Sequence, residues 1–438
     1  MRSRRGAGGS TYFSDWLGTN FVVQYDGMTV KHAIGPGSAR ERRRTDASRL
    51  RTSNLVRATT ARSDQIVSKL DDRQHEERLQ KAFARKQEGT RVSRQWVGSI
   101  FVCAAISLTP FGVAAAQQNK PEKPAIKIAV GGKSALFYLP LSVTERLGYF
   151  KDAGLDVEID DVSSGTHTLQ AVIAGSADIG TGTFDHAIQM QAKKQPIIAL
   201  LEMGRYPGLI MGVMTSKQSR YHGPKDLKGM KIGVTGLGSS TQFMAAYLMV
   251  RNGLNPQTDA TFIATGTTST AVAAAKRAEI DAIVTSDPMA SVMTADNLIK
   301  VVADTRTPTG TQDVYGGPYP GGVVYATPAF IEQNPKTTQA IVNAFVRGLH
   351  WIASHSPEDI AKLMPPEYAL GNKPVYIKAI AASKAMYSPD GHFLPGAPET
   401  AYNVLKEFNP PVAAAKIDLS KTYTNRFVEQ AAQTLKQP

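Results

Sequence analysis

Cysteine is nearly missing from this chain. Among 438 residues there is one, Cys103, and it lies in an apolar run expected to be cleaved away. The mature chain is then left without disulfides, thiolate catalysis or Cys-ligated metal. Histidine cannot take over the metal role: His167 and His186 lack ligand spacing on a helix, so neither a metal nor a cofactor is expected. A long membrane-spanning run is also missing. The run Trp96–Val113 contains Pro110, ends in Ala114-Ala115-Ala116 and is preceded by Arg91 and Arg94, the signature of a secretory signal peptide rather than a membrane helix.

The formal net charge of +13 is unevenly placed. Residues 1–116 carry 20 of the 50 Lys and Arg and 10 of the 37 Asp and Glu, leaving 30 against 27 in residues 117–438. A basic folded surface is therefore lacking, and nucleic acid is excluded as the expected partner. Residues 1–90 are Arg-rich, with runs such as Glu41-Arg42-Arg43-Arg44 and no sustained apolar period, which predicts a disordered extension. A leader that begins ninety residues into a chain is anomalous, and translation is expected to start near Val92. The signal peptide is assigned to residues 91–116. No small-residue lipid-attachment box surrounds Cys103, so lipoprotein anchoring is not expected.

What the sequence does hold is a long repeat. Ser164 to His186 reads as a Gly-Thr turn, a helix, a strand headed by Asp178 and a polar loop ending in Asp185-His186; the same order returns between Thr265 and Pro288. Gly165-Thr166 answers to Gly266-Thr267, Asp178 to Asp281, and Asp185 to Asp287. A period near a hundred residues is too long for a solenoid. It predicts an α/β chain folded as two similar α/β lobes around a ligand cleft, each built from parallel β-α-β units. Residues 125–215 with 322–438 form the first, discontinuous lobe in this reading, and residues 225–305 the second. Residues 216–224 and 306–321 are the two segments of the hinge.

Candidate site residues gather at turns that follow strands. In Gly236-Leu237-Gly238-Ser239-Ser240-Thr241 the glycines permit the turn, and Ser239, Ser240 and Thr241 stand at a helix N-terminus, where free N–H groups and the helix dipole favour an anion. Capping is the alternative for each. Ser134, Gly165 with Thr166 and His167, and Thr267 repeat that geometry. Four such turns facing one cleft would bind a sulfonate, nitrate or carboxylate without a charged partner. Thr183, Phe184, Asp185 and His186 end the strand of the first copy, and Asp287 that of the second; each aspartate either accepts from a ligand N–H or caps the next helix. Phe137 and Phe184 are candidate apolar lining, and Arg205 either pairs with Glu202 or meets a ligand anion. Tyr315 and Tyr319 are placed at the cleft mouth. A dinucleotide reading of the Gly236 turn fails at Thr241, where a third glycine belongs.

The stretches GGKSALFYLPLSVTERLGYFKDAGLDVEI, ADIGTGTFDHAI, DLKGMKIGVTGLGSSTQFMAAYL and EIDAIVTSDP resemble the substrate-binding proteins of ABC transporters for sulfonates, taurine, nitrate and pyrimidines, a group related to thiamine-pyrimidine binding and biosynthesis proteins. The resemblance spans residues 125–438. It implies a type II periplasmic binding protein fold that closes over a small-molecule ligand and delivers it to an inner-membrane ABC transporter permease. It also implies a periplasmic location and no enzymatic activity. The pyrimidine-synthesising relatives offer an enzyme as the alternative, but they carry a cysteine-rich motif that Cys103 cannot supply.

Overall fold

The computed structural model describes residues 120–435, Thr268 excepted, together with the backbone of four short strands near the N-terminus. Those strands, β1 (Ser3–Arg5), β2 (Thr11–Ser14), β3 (Asn20–Tyr25) and β4 (Met28–Ala33), form an antiparallel meander where the composition predicts disorder. The remainder of the expected disordered segment and the expected signal peptide lie outside the described residues.

From residue 120 the chain builds two five-stranded sheets. The first contains β5 (Ala125–Val130), β6 (Asp156–Asp161), β7 (Ile179–Thr183), β8 (Ile198–Glu202) and β14 (Gly322–Ala326), in the order β6-β5-β7-β14-β8. The second contains β9 (Leu209–Met214), β10 (Lys231–Val234), β11 (Thr261–Ala264), β12 (Ala282–Ser286) and β13 (Ile299–Asp304), in the order β11-β10-β12-β9-β13. In each sheet four strands run in one direction, and the fourth in order runs against them, antiparallel to both neighbours. That antiparallel strand is the one exchanged between halves: β9 follows β8 in sequence yet completes the second sheet, and β14 follows β13 yet completes the first.

The exchange moves the outgoing crossing. It lies between Glu202 and Leu209, not at residues 216–224, which sit beyond β9 within the second half. The error arose because β9 is buried along its whole length, and a continuous apolar run carries no mark of the sheet it joins. The first-lobe assignment of residues 322–438 also needs correction. Helix α7 (Pro335–Ser354) covers the first sheet with its Ile341, Phe345 and Leu349 face. The helices α8 (Lys373–Ser383) and α9 (Ala397–Phe408) pack instead on helices of the second half, α6 (Met289–Ala295) and α4 (Ser240–Val250) respectively.

The repeat has a structural cause in its aspartates. Asp178 accepts the Lys127 N–H at 3.0 Å and Asp281 the Lys231 N–H at 2.9 Å, so each fastens the start of its lobe's first strand. The Gly180-Thr181-Gly182 sequence of β7 answers to its neighbour β14. A Cβ at Gly180 would stand 2.4 Å from the Tyr325 ring, and one at Gly182 2.9 Å from it, so two glycines make the slot for a fully buried tyrosine.

Gly180→Ala is therefore expected to cost about 1–3 kcal/mol by overpacking, read as a drop of several degrees in melting temperature. Gly223→Ala, in extended backbone with no atom within 4 Å of the new Cβ, is the control and should stay within about 0.5 kcal/mol of wild type. Equal stability of the two variants would refute the slot.

Candidate functional site

The carboxyl ends of the parallel strands in both sheets converge on one cavity of about 40 Å³. From the first half come Gly131, Ala135, Phe137, Tyr138, Gly165, Thr183 and His186; from the second, Leu209, Thr235, Ser239, Ser240, Thr241, Thr267 and Ser286. Ligands in open α/β sheets bind at such strand ends.

Close backbone approach shapes the walls. Gly131 leaves β5 against the next turn: a Cβ there would stand 2.4 Å from the Ser164 carbonyl carbon. Asp161 holds this turn by accepting the N–H groups of Gly132 (2.8 Å) and Lys133 (3.0 Å). Ser164 caps helix α2 (Gly165–Ile173), accepting from the His167 N–H. At the start of α4, Ser239 occupies the capping position, but its hydroxyl donates to the Gly236 carbonyl at 2.6 Å. Thr235, Ser239 and Thr241 bond to one another at 2.7–3.2 Å, giving a wall of neutral hydroxyls.

Several contacts tie the two halves across the cavity. Thr166 Oγ1 donates to the Leu237 carbonyl at 3.0 Å, and the Leu136 N–H to the Asp287 carbonyl at 2.7 Å. The densest tie is at Asp185, the first residue of helix α3 (Asp185–Ala192). Its Oδ1 accepts from Thr183 Oγ1 at 2.5 Å and from Ser240 Oγ at 2.9 Å, and Tyr319 Oη approaches Oδ2 at 3.4 Å. Ser240 Oγ also contacts Thr183 Oγ1 directly. The side chain is 1 % exposed, yet it stands behind the cavity wall.

His186 is buried and lines the cavity, and neither ring nitrogen makes a well-formed hydrogen bond. Burial holds its pKa below the ordinary imidazole value, outweighing the raising influence of Asp185 and of the Gly238 backbone. The phenol of Tyr138 is pushed up by burial, with Asp161 and Asp185 adding to the effect.

Eight residues expected at the site line this cavity: Phe137, Gly165, Thr183, His186, Ser239, Ser240, Thr241 and Thr267. Ser134 lies one residue short of the wall at Ala135. The others are placed elsewhere, each for a physical reason. Thr166 spends its hydroxyl on Leu237, and His167 is exposed with Nδ1 against Ser163 and Ser164. Phe184 is fully buried against Phe393 and Tyr423. Arg205 faces Asp390 at 3.5 Å beside the buried Glu202. Asp287 is not the counterpart of Asp185: it precedes α6 by two residues, caps it through the Ser291 N–H, and pairs with Arg306 at 2.7 Å. Tyr315 and Tyr319 stack at 4.1 Å in the interior rather than at a mouth.

Sequence reasoning missed Gly131, Ala135, Tyr138, Leu209, Thr235 and Ser286. For Thr235 and Ser286 a signal was present: each is the polar residue at or just past the end of a strand, as Thr183 is. Among the described residues no group of three or more His, Cys, Asp or Glu could hold a metal ion, and no helix is long and apolar enough to cross a membrane.

Residues 138–359 match the family described as NMT1/THI5 like. The chain belongs to this family. A solved protein from Bordetella bronchiseptica RB50 is 42% identical, with a TM-score of 0.70 over 72% of this chain and 99% of that one. The periplasmic nitrate-binding protein NrtA from Synechocystis PCC 6803, 16% identical, superposes with a TM-score of 0.58 over 73% of this chain and 91% of that one, a likeness of fold. YtlA of Bacillus subtilis (strain 168), named provisionally as a binding protein, is 23% identical over 302 residues, 68% of this chain and 86% of its own. A yeast enzyme, the 4-amino-5-hydroxymethyl-2-methylpyrimidine phosphate synthase THI11 of Saccharomyces cerevisiae, matches at 27% identity over 101 residues, 23% of this chain and 29% of its own. The fold is that of the ABC-type solute-binding proteins: two α/β lobes, strand-exchanged, about a shared cleft.

Two predictions rest on this geometry. A Cβ at Gly236 would stand 2.8 Å from Ser164 Cβ and Oγ across the cleft, so Gly236→Ala should obstruct the closed arrangement. Ligand affinity is expected to fall by at least about tenfold with the unliganded melting temperature nearly unchanged; unchanged affinity refutes it. The second concerns pH. His186 is held neutral in the fold while the unfolded imidazole titrates near about 6.5. Its contribution to stability is therefore complete above that pH and lost as pH falls toward the lower folded pKa. Glu202, raised well above the usual carboxylate range chiefly by burial, with Arg205 opposing, has the opposite sign: its contribution is complete below the unfolded pKa and lost as pH rises. Between about pH 7.5 and 5.5, wild type should lose more thermal stability than His186→Gln; parallel curves would remove His186 from the account.

Proposed function

We propose that this protein is the solute receptor of an ABC importer, exported by the segment at residues 91–116, and that it binds a small organic anion or a nitrogen or sulfur compound, sulfonate-, nitrate- or pyrimidine-like, for delivery to a membrane permease. The observation that carries this reading is the cavity shared by both halves, its Thr183–Asp185–Ser240 bonds spanning the cleft. A cleft closed by such bonds converts ligand contact into a shift between open and closed populations. Its size in the closed arrangement suits a compact ligand, since one water needs about 10–15 Å³ of such volume.

The enzyme alternative, a pyrimidine-synthesising activity on the same fold, is less well supported. The one imidazole in the wall has no hydroxyl, thiol or amine hydrogen-bonded to it as an activated nucleophile requires. The match to the yeast synthase covers under a third of either chain.

The test is a thermal-shift and calorimetric panel of nitrate, methanesulfonate, taurine, 4-aminopyrimidine and urea on the purified mature chain. A true ligand at a hundredfold its Kd should stabilise the fold by about 2.7 kcal/mol and be recovered unchanged. Conversion of the stabilising compound would overturn the receptor reading in favour of the enzyme.

A further inference from the structure

The cavity wall contains a corner whose hydrogen-bonding sense is fixed by a group that never reaches the ligand. Resting on the receptor reading above, we infer that Thr183 and Ser240, backed by Asp185, form a subsite for an N–H donor, and that the solute is a small nitrogen compound of amide, urea, amidine or amino-heterocycle type rather than an oxyanion.

The protons of this corner can be counted. A hydroxyl has one proton to give and two lone pairs, and a carboxylate can only accept. Thr183 Oγ1 gives its proton to Asp185 Oδ1, and Ser240 Oγ gives its own either to that oxygen or to Thr183 Oγ1. In both arrangements the two protons stay inside the triad. Thr183 and Ser240 line the cavity, so the face they turn to a ligand is made of lone pairs. Beside them Ser239 donates to the Gly236 carbonyl, and Thr235 and Thr241 donate within their own cluster; the hydroxyls of Tyr138, Thr267 and Ser286 belong to the rest of the lining.

Charge points the same way. Asp185 brings a negative charge directly behind the corner, strong enough to help raise the phenols of Tyr315 and Tyr319 after burial has done most of that work. Among the described residues no lysine or arginine lines the cavity to offset it. Of the cations around it, Arg306 pairs with Asp287 and Asp304, Arg205 with Asp390 and Lys133 with Glu145, while Lys193, whose charge reaches His186, is exposed on the surface. A nitrate or sulfonate oxygen at this corner would meet lone pairs and a buried charge of its own sign. An N–H would meet acceptors made stronger by that charge. His186, held neutral by burial, lines the same cavity with no well-formed hydrogen bond at either ring nitrogen and the Gly238 backbone nearby. Asp185 is thus a positioning residue, setting the orientation of two hydroxyls that do the binding.

Urea, guanidinium and nitrate are planar, of four heavy atoms each and nearly one shape, and they differ in hydrogen-bonding sense. Calorimetry on the mature chain at one pH and ionic strength should find urea and guanidinium each binding at least about tenfold more tightly than nitrate. Asp185→Asn, which frees the hydroxyls to turn outward, should bring the three to within about threefold of one another. Ser240→Ala, which keeps Asp185 in place should the first variant fail to fold, should weaken urea and guanidinium by at least about fivefold and nitrate by less than twofold. Nitrate binding as tightly as urea in wild type overturns the subsite, as does an equal loss of all three probes in Asp185→Asn or Ser240→Ala. A panel sulfonate or nitrate that binds where urea and guanidinium do not would overturn the subsite and leave the receptor reading intact; turnover of a bound solute would do the reverse.

Discussion

Strand exchange is the constraint on which the rest of this molecule depends. Each sheet is completed by the strand that enters it directly after a crossing, β9 in one and β14 in the other, each hydrogen-bonded on both edges. The second sheet forms from the consecutive strands β9–β13 once the chain has crossed out, and the first is complete only when the chain has returned at β14. The helices α8 and α9 add further bridges to the second half, and the direct crossings between the sheets are residues 203–208 and the return path before Gly322. Within that path Tyr319 reaches Asp185. The crossing chain is thus itself part of the wall that backs the cavity.

The same constraint explains which parts of the structure were legible in sequence. The paired motifs around Asp178 and Asp281 recur because both lobes solve one local problem, fastening the start of a first strand through a carboxylate, and a local solution leaves a local signature. The Gly-Thr-Gly of β7 was visible as a motif, but its cause, the Tyr325 ring, lies on a strand about 140 residues later and could not be read from the stretch itself. The ownership of β9 was illegible for a related reason: all six of its residues are buried, and burial does not name a partner.

The candidate site divides along similar lines. Residues at strand ends and helix starts, such as Thr183, Ser240 and Thr267, were found because backbone geometry alone puts them at the cleft. The errors came where two aspartates were treated as equivalents because their motifs align. A shift of one or two residues between strand end and helix start places Asp185 on the first turn of α3 and Asp287 ahead of α6. The first then faces hydroxyls of the opposite lobe, while the second faces Arg306, Ser291 and Ser383. Sequence periodicity resolves elements to within a residue or two, and at a strand-to-helix turn that is the difference between two chemistries.

A buried carboxylate with only neutral donors is an expensive choice for a latch, because charge taken from water must be recovered in hydrogen bonds. Two of the three donors to Asp185, Thr183 and Tyr319, lie on the first half and the return crossing, and the third, Ser240, lies on the second half. Opening the cleft removes Ser240 and admits water to the carboxylate, so the open state recovers hydration that the closed state forgoes. The closed arrangement is then favoured little by Asp185 itself, and the balance passes to whatever fills the lone-pair corner between Thr183 and Ser240. A solute that satisfies that corner supplies differential affinity for the closed state, the quantity that moves a two-state equilibrium. A latch held by a salt bridge would close with or without a solute. One held by neutral hydroxyls around a buried charge leaves closure conditional on what is bound.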